Sequence, residues 1–177
     1  MLNILFADGF EEFEALSVVD MARRAGIEVK MISLNETNEV IGGHNIKIIC
    51  DCMLKDAAID DGVVLPGGIP GVPNIEKNPD AIEFIKKHFN ENKLVAAICA
   101  APTLLGRIGL LDNKKAVCYL DLMDELICKE KVDENVVIDS NIITSKSAGT
   151  ALDFAFEIIK YLKDETVAKK VKNAIYY

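Results

Sequence analysis

Five apolar residues in a row, Leu94 to Ile98, run without a polar break into Cys99, two alanines and Pro102. A strand that is apolar at every position has no face to give to water, so it belongs at the centre of a parallel sheet covered by helices on both sides. Other segments fit the same frame. Asn3 to Ala7 reads as a buried strand broken at Asp8-Gly9, followed by a helix around Glu12 to Ala25 that Gly26 ends. Glu28 to Leu34 is the next strand. The Asn/Gly-rich stretch from Asn35 to Asn45 holds a small hairpin that continues into Ile46 to Cys50. Gly62 to Leu65 is a further buried strand and ends in PGGIPG.

Asp80 to Phe89 has helical periodicity, with Ile82, Ile85 and Phe89 on one side and charged residues on the other. Short strands are expected at Ala116 to Cys118 and Ile142 to Thr144, with a more polar one at Val136 to Asp139. Two helices close the chain. The first carries Leu152, Ala155, Phe156, Ile159 and Leu162 on one face, and the second spans Val167 to Ile175. Strand and helix alternate throughout the 177 residues, with no repeat and no linker. This predicts one α/β domain over residues 1–177, with helices on both faces of a mainly parallel sheet.

A formal charge of -8, from 28 acidic and 20 basic residues, works against attraction to nucleic acid or an anionic membrane. The segment Lys163 to Lys172 is interrupted by Asp164 and Glu165 and reads as a solvated helix face. The opening MLNILFADGF has neither a basic start nor a long apolar run, which argues against a signal peptide and a membrane span. Cys50, Cys118 and Cys128 lie in strand-like apolar settings and read as small buried hydrophobes. With an odd total of five cysteines, a reducing cytoplasm is the expected home. His44 and His88 match no metal-ligand spacing, and no phosphate-binding glycine motif is present, so neither metal nor nucleotide cofactor is expected.

Chemistry concentrates in three places. In LVAAICAAP, small residues let the chain turn sharply after the strand and present Cys99 at the sheet's C-terminal edge, above a helix start. The free N-H groups there are expected to favour thiolate and lower the thiol pKa. In PGGIPG, the Gly68 N-H together with that of Ala100 forms a candidate oxyanion hole. In DGFEEFEAL, acidic residues complement the helix dipole; Glu14, set between Phe13 and Ala15-Leu16, is a candidate for partial burial and proton transfer, but the residues alone leave open which of Glu11, Glu12 and Glu14 faces the sulfur.

Taken in order, DGFEEFEAL, DMARRAG, VVLPGG, AAICAAP and TSKSAGTALDF resemble the ThiJ/PfpI superfamily, and within it the DJ-one branch, over nearly the whole chain. The resemblance implies a flavodoxin-like three-layer sandwich and a homodimer. It places the reactive cysteine on Cys99, its acidic partner on Glu14, and the two oxyanion donors on Gly68 and Ala100. Ala100 stands where peptidase members carry histidine, which argues against that branch. The position of a second family histidine falls near Tyr119, and that of a family arginine near Asn45 with His44 adjacent, so these three are expected around the pocket. The base is then Glu14 or the substrate itself.

Two functions follow from the resemblance. One is cofactor-independent conversion of small reactive aldehydes such as methylglyoxal or glyoxal to hydroxy acids, with reversal of early glycation adducts. The other is a redox-responsive protective protein or chaperone that senses oxidation at Cys99. Peroxide is expected to form a sulfinate at Cys99 first, with Cys52 as the competitor.

Overall fold

The computed structural model describes residues 1–177. Strand β1 (Leu2–Phe6) leads into helix α1 (Glu12–Arg24), then β2 (Val29–Ser33) and a hairpin of β3 (Glu39–Ile41) and β4 (Lys47–Ile49). Next come β5 (Cys52–Met53), β6 (Gly62–Leu65), α2 (Gly71–Glu76), α3 (Pro79–Asn90), β7 (Leu94–Ile98) and α4 (Ala101–Arg107). The chain closes with β8 (Lys115–Ala116), β9 (Glu130–Lys131), β10 (Val136–Asp139), β11 (Ile142–Ser145), α5 (Ala151–Leu162) and α6 (Glu165–Ala174).

Seven strands form one sheet in the order β10-β11-β7-β6-β1-β2-β5. All neighbours are parallel except β10, which pairs antiparallel with β11 at the edge. The two-residue period of a strand sorts the core into two layers. Leu94, Ala96 and Ile98 of β7 pack with residues of α1 and α5, whereas Val95 and Ala97 pack on the other face with residues of α2, α3 and α4. No helix is long and apolar enough to cross a membrane.

The structure corrects three local expectations. The strand near Ala116 to Cys118 ends at Ala116 and pairs with β9 in a separate two-stranded sheet, because Val117 instead donates its N–H to the Thr144 hydroxyl. Cys50 and Cys118 are buried, but Cys128 is only half-buried. In α3 the fully buried stripe is Ala81, Phe84, Ile85 and His88, with Ile82 and Phe89 only half-buried against the same core, so His88 is a core residue with no exposed surface.

His88 fits because it is neutral. Its Nδ1 lies 2.9 Å from the Phe84 carbonyl, to which it donates, and its Nε2 faces the N–H of Asp60 and the amide of Asn3, each at 3.4 Å. Burial pushes its pKa down, against a bond to the Phe84 backbone and the charges of Asp60 and Glu91. A base with a depressed folded pKa costs nothing while both states are neutral. It loses stability as pH falls below its unfolded value, about 6.5. His88→Gln is therefore expected to lower the melting temperature near neutrality and to flatten its decline between about pH 7 and about pH 5. Parallel melting curves for the two proteins over that range would show that His88 carries no such dependence.

Candidate functional site

Cys99 follows directly on β7 with φ +64, a left-handed conformation that costs an ordinary side chain about 1–3 kcal/mol. The fold holds it there from both sides: the Cys99 N–H donates to the Ser145 carbonyl at 3.0 Å, and the Tyr119 N–H donates to the Cys99 carbonyl at 2.8 Å. The thiol is thus projected from the C-terminal edge of the central strand at the start of α4. It remains half-buried, beside the N–H groups of Gly68 and Ala100.

The three glutamates at the start of α1 divide into three roles. Glu11 caps the helix, its carboxylate accepting the Glu14 N–H at 2.7 Å. Glu12 turns away to the hairpin, where it accepts the His44 N–H at 2.6 Å and sits 2.8 Å from the ring Nδ1. Glu14 alone points to the sulfur. It is 1 % exposed, accepts the Gly67 N–H at 2.9 Å, and faces the Cys99 sulfur across Gly67, where one added Cβ would lie 2.6 Å from its oxygen and 3.0 Å from the sulfur.

Burial raises the Glu14 carboxyl to about 7, against the bond from Gly67. Burial likewise raises the Cys99 thiol, with Glu14's charge and hydrogen bond adding to it, up to about 12, and the Ala100 and Gly68 N–H groups only partly oppose this. The expectation of a lowered thiol pKa is therefore wrong for the resting site. A helix start helps an anion, but here a carboxylate lies beside the sulfur and water is largely excluded. The pair stores a proton on sulfur next to a group that can receive it at neutral pH, with two N–H donors ready for negative charge that develops later.

Gly67 and Gly68 are confined for different reasons. A Cβ at Gly67 would lie 2.5 Å from the Cys99 Cβ and 2.6 Å from a Glu14 carboxylate oxygen. Gly68 has φ +101, and a Cβ there would lie 2.3 Å from the Gly9 carbonyl. The sequence reading missed Gly67 as a donor to Glu14. The only signal for it was its place in PGGIPG.

The expected pocket residues separate. Tyr119 is bonded to Cys99 through its backbone and has a partly exposed ring. His44 is bound to Glu12, and Asn45, with φ +63, forms the hairpin turn by donating its N–H to the Gly42 carbonyl. Glu11, Glu12 and His44 bring one donor atom each within 4.8 Å of one another, a grouping that spacing alone did not reveal. A cavity of about 640 Å³ lies elsewhere, at the C-terminal ends of β2 and β5 against α3, and none of its lining residues belongs to the Cys99 cluster.

The model of the DJ-1/PfpI family matches residues 2–161. Protein dj-1beta of Drosophila melanogaster is 33% identical over 176 residues, covering 97% of this chain and 94% of its own length. Protein DJ-1 homolog B of Arabidopsis thaliana is 35% identical over 173 residues, which are 96% of this chain but 40% of that protein, so the chain spans well under half the length of this plant relative. Among solved structures, Toxoplasma gondii DJ-1 in an oxidized form superposes with a TM-score of 0.94 at 31% identity, covering 99% of this chain and 97% of the other.

Proposed function

The chain belongs to the DJ-1/PfpI family, and on that premise we propose that it converts small reactive aldehydes such as methylglyoxal to 2-hydroxy acids through a covalent adduct on Cys99. The observation that carries the reading is the buried Glu14 carboxyl set against the Cys99 thiol across Gly67, with the Gly68 and Ala100 N–H groups at the same sulfur and burial pushing the carboxyl up to about 7. Glu14 takes the thiol proton as sulfur bonds to the aldehyde carbon and passes it to the former carbonyl oxygen, which the two N–H groups stabilise; this completes the hemithioacetal and returns Glu14 to the carboxylate. The hydrogen on that carbon then moves to the neighbouring ketone carbon as a proton through an enediol, with Glu14 as carrier. One carbon is oxidised to a thioester and the other reduced to an alcohol, so no outside oxidant is needed. Water breaks the S–C bond, releases the hydroxy acid and restores the thiol. An amine held on the aldehyde as a hemiaminal leaves before these steps: its C–N bond breaks as the hydroxyl becomes the carbonyl and the hydroxyl proton ends on nitrogen, which frees the aldehyde for addition to Cys99 and links the site to early glycation adducts.

Rapid quenching during turnover, followed by peptide mass spectrometry, tests this. One substrate molecule is expected on the peptide bearing Cys99, and turnover without any such adduct would overturn the covalent route.

A second reading, oxidation sensing, has its own support: the same donors suit the oxygens of an oxidised sulfur. Two equivalents of peroxide would carry the thiol to sulfenic and then sulfinic acid, releasing one water at each step. Cys50 and Cys118 are shielded by burial, and the half-buried Cys52 is the more accessible competitor. In a peroxide titration the first added oxygen pair is expected on Cys99, because it has a neighbouring base. Prior modification of Cys52 would remove this reading.

We further propose a homodimer in a reducing cytoplasm. Phe13, Ile46 and Ile49 are each at least half exposed, on two segments joined at Glu12, and a second copy would cover them. Sedimentation equilibrium at micromolar concentration is expected to give twice the chain mass, and Phe13→Glu to give the mass of one chain. A monomer mass for the unmodified protein would contradict the dimer.

A further inference from the structure

We infer that His44 is a positioning residue for the Cys99 centre: by gripping Glu12 it fixes the segment Gly9 to Glu12, on which the Gly67–Gly68 turn is seated. The hairpin meets that segment at several points. The His44 N–H and ring Nδ1 hold the two oxygens of Glu12 at 2.6 and 2.8 Å, the Gly43 N–H donates to the Phe10 carbonyl at 2.8 Å, and the Ile41 carbonyl accepts the Gly9 N–H at 2.7 Å. The fit is close enough that a Cβ on Gly42 would lie 2.2 Å from a Glu12 oxygen.

On its other side the same segment carries the turn that serves the sulfur. The Glu11 N–H donates to the Gly67 carbonyl at 3.0 Å, and a Cβ on Gly68 would meet the Gly9 carbonyl at 2.3 Å and the Glu11 nitrogen at 2.7 Å. The Gly67 N–H donates to Glu14 at 2.9 Å, and the Gly68 N–H lies beside the Cys99 sulfur, where it favours the charged form. A shift of this segment therefore moves both the base and an oxyanion donor, and small misplacements of such groups are costly to reactivity.

The Glu12 side chain is 6 % exposed while that of His44 is 74 % exposed, so the buried carboxylate depends on an imidazole that could be removed without leaving a core cavity. Burial pulls Glu12 upward, but the bonds from the His44 ring and backbone, its own N–H and that of Ile46 together hold it below the usual carboxylate range. The His44 imidazole is raised by its bond to Glu12 and by that group's charge. The charged groups facing His44 are Glu12 and Glu11 from the start of α1. Lys47 of the hairpin is paired with Glu39 at 2.9 Å. Because the contacts act on the sulfur and its donors, the effect does not depend on which electrophile Cys99 meets.

The test is the rate of Cys99 alkylation by iodoacetamide at neutral pH, followed by peptide mass spectrometry so that the other cysteines do not interfere. His44→Ala is expected to slow it roughly tenfold, the scale of losing a hydrogen bond to a charged group, while the protein stays folded. His44→Asn, whose amide nitrogen replaces Nδ1, is expected to restore the rate to within roughly twofold, a rescue that bulk packing does not explain. Glu12→Gln, which weakens the same grip from the other side, is expected to slow alkylation with His44 intact. Wild-type reactivity in His44→Ala, or no rescue by His44→Asn, would overturn the inference.

Discussion

Glu14→Gln is expected to cut aldehyde turnover by about 10²-fold, the usual scale for a positioned proton-transfer group. The amide has the shape of the carboxyl and can still accept the Gly67 N–H through its oxygen, so the turn stays in place. What it cannot do is take the thiol proton. In the wild type, turnover is expected to rise as pH rises through about 7, because Glu14 becomes a base as it loses its proton. That limb is expected to be missing from the variant. Stability should move the other way. An acid with a raised folded pKa burdens the folded state once it is ionised, so its full cost is present above about 7. Glu14→Gln should then melt no lower than wild type in mild alkali. Turnover with an unchanged pH profile in the folded variant would remove Glu14 from the chemistry.

Gly67→Ala is expected to have the largest effect of any change that leaves every catalytic atom present. The added methyl would overlap the Cys99 Cβ at 2.5 Å and the Glu14 oxygen at 2.6 Å, and it would lie 3.0 Å from the sulfur. Neither neighbour can yield easily, since Cys99 is held by backbone bonds to Ser145 and Tyr119, and Glu14 is enclosed. Overpacking of this kind costs about 1–3 kcal/mol of stability, and separating a thiol from its base by a fraction of an ångström should lower turnover by roughly 10²-fold or more. Gly149→Ala is the control, because a Cβ there meets nothing within 4 Å. Turnover and melting temperature of both variants separate the cases. Wild-type turnover in Gly67→Ala would mean that Cys99 and Glu14 need not be in contact.

The central strand and the sharp turn at Cys99 were legible because an unbroken apolar run followed by small residues leaves little choice of structure. The strand at Val136 to Asp139 was expected as a more polar one, but its antiparallel pairing with β11 at the sheet edge was not. The inner face of α3 was read only in part: Ile85 is buried and Ile82 and Phe89 are half-buried against the same core, but Phe84 and a histidine that is buried because it stays neutral were not expected there. The division of labour among Glu11, Glu12 and Glu14 could not be read from one helical turn, because it depends on what the hairpin and the Gly67 turn present to each carboxylate. The state of the Cys99 thiol failed for a related reason. A helix start is visible in sequence, whereas burial and the distance to a carboxylate from another element are not.

The most direct measurement is hydroxy-acid formation from methylglyoxal by the wild type and by Cys99→Ala at equal concentration. Lactate is expected from the wild type in proportion to enzyme and time, with none above the uncatalysed rate from Cys99→Ala. Equal lactate from the two proteins, or none from a folded wild type whose Cys99 is reduced, would contradict a catalytic centre built on the Glu14–Cys99 pair.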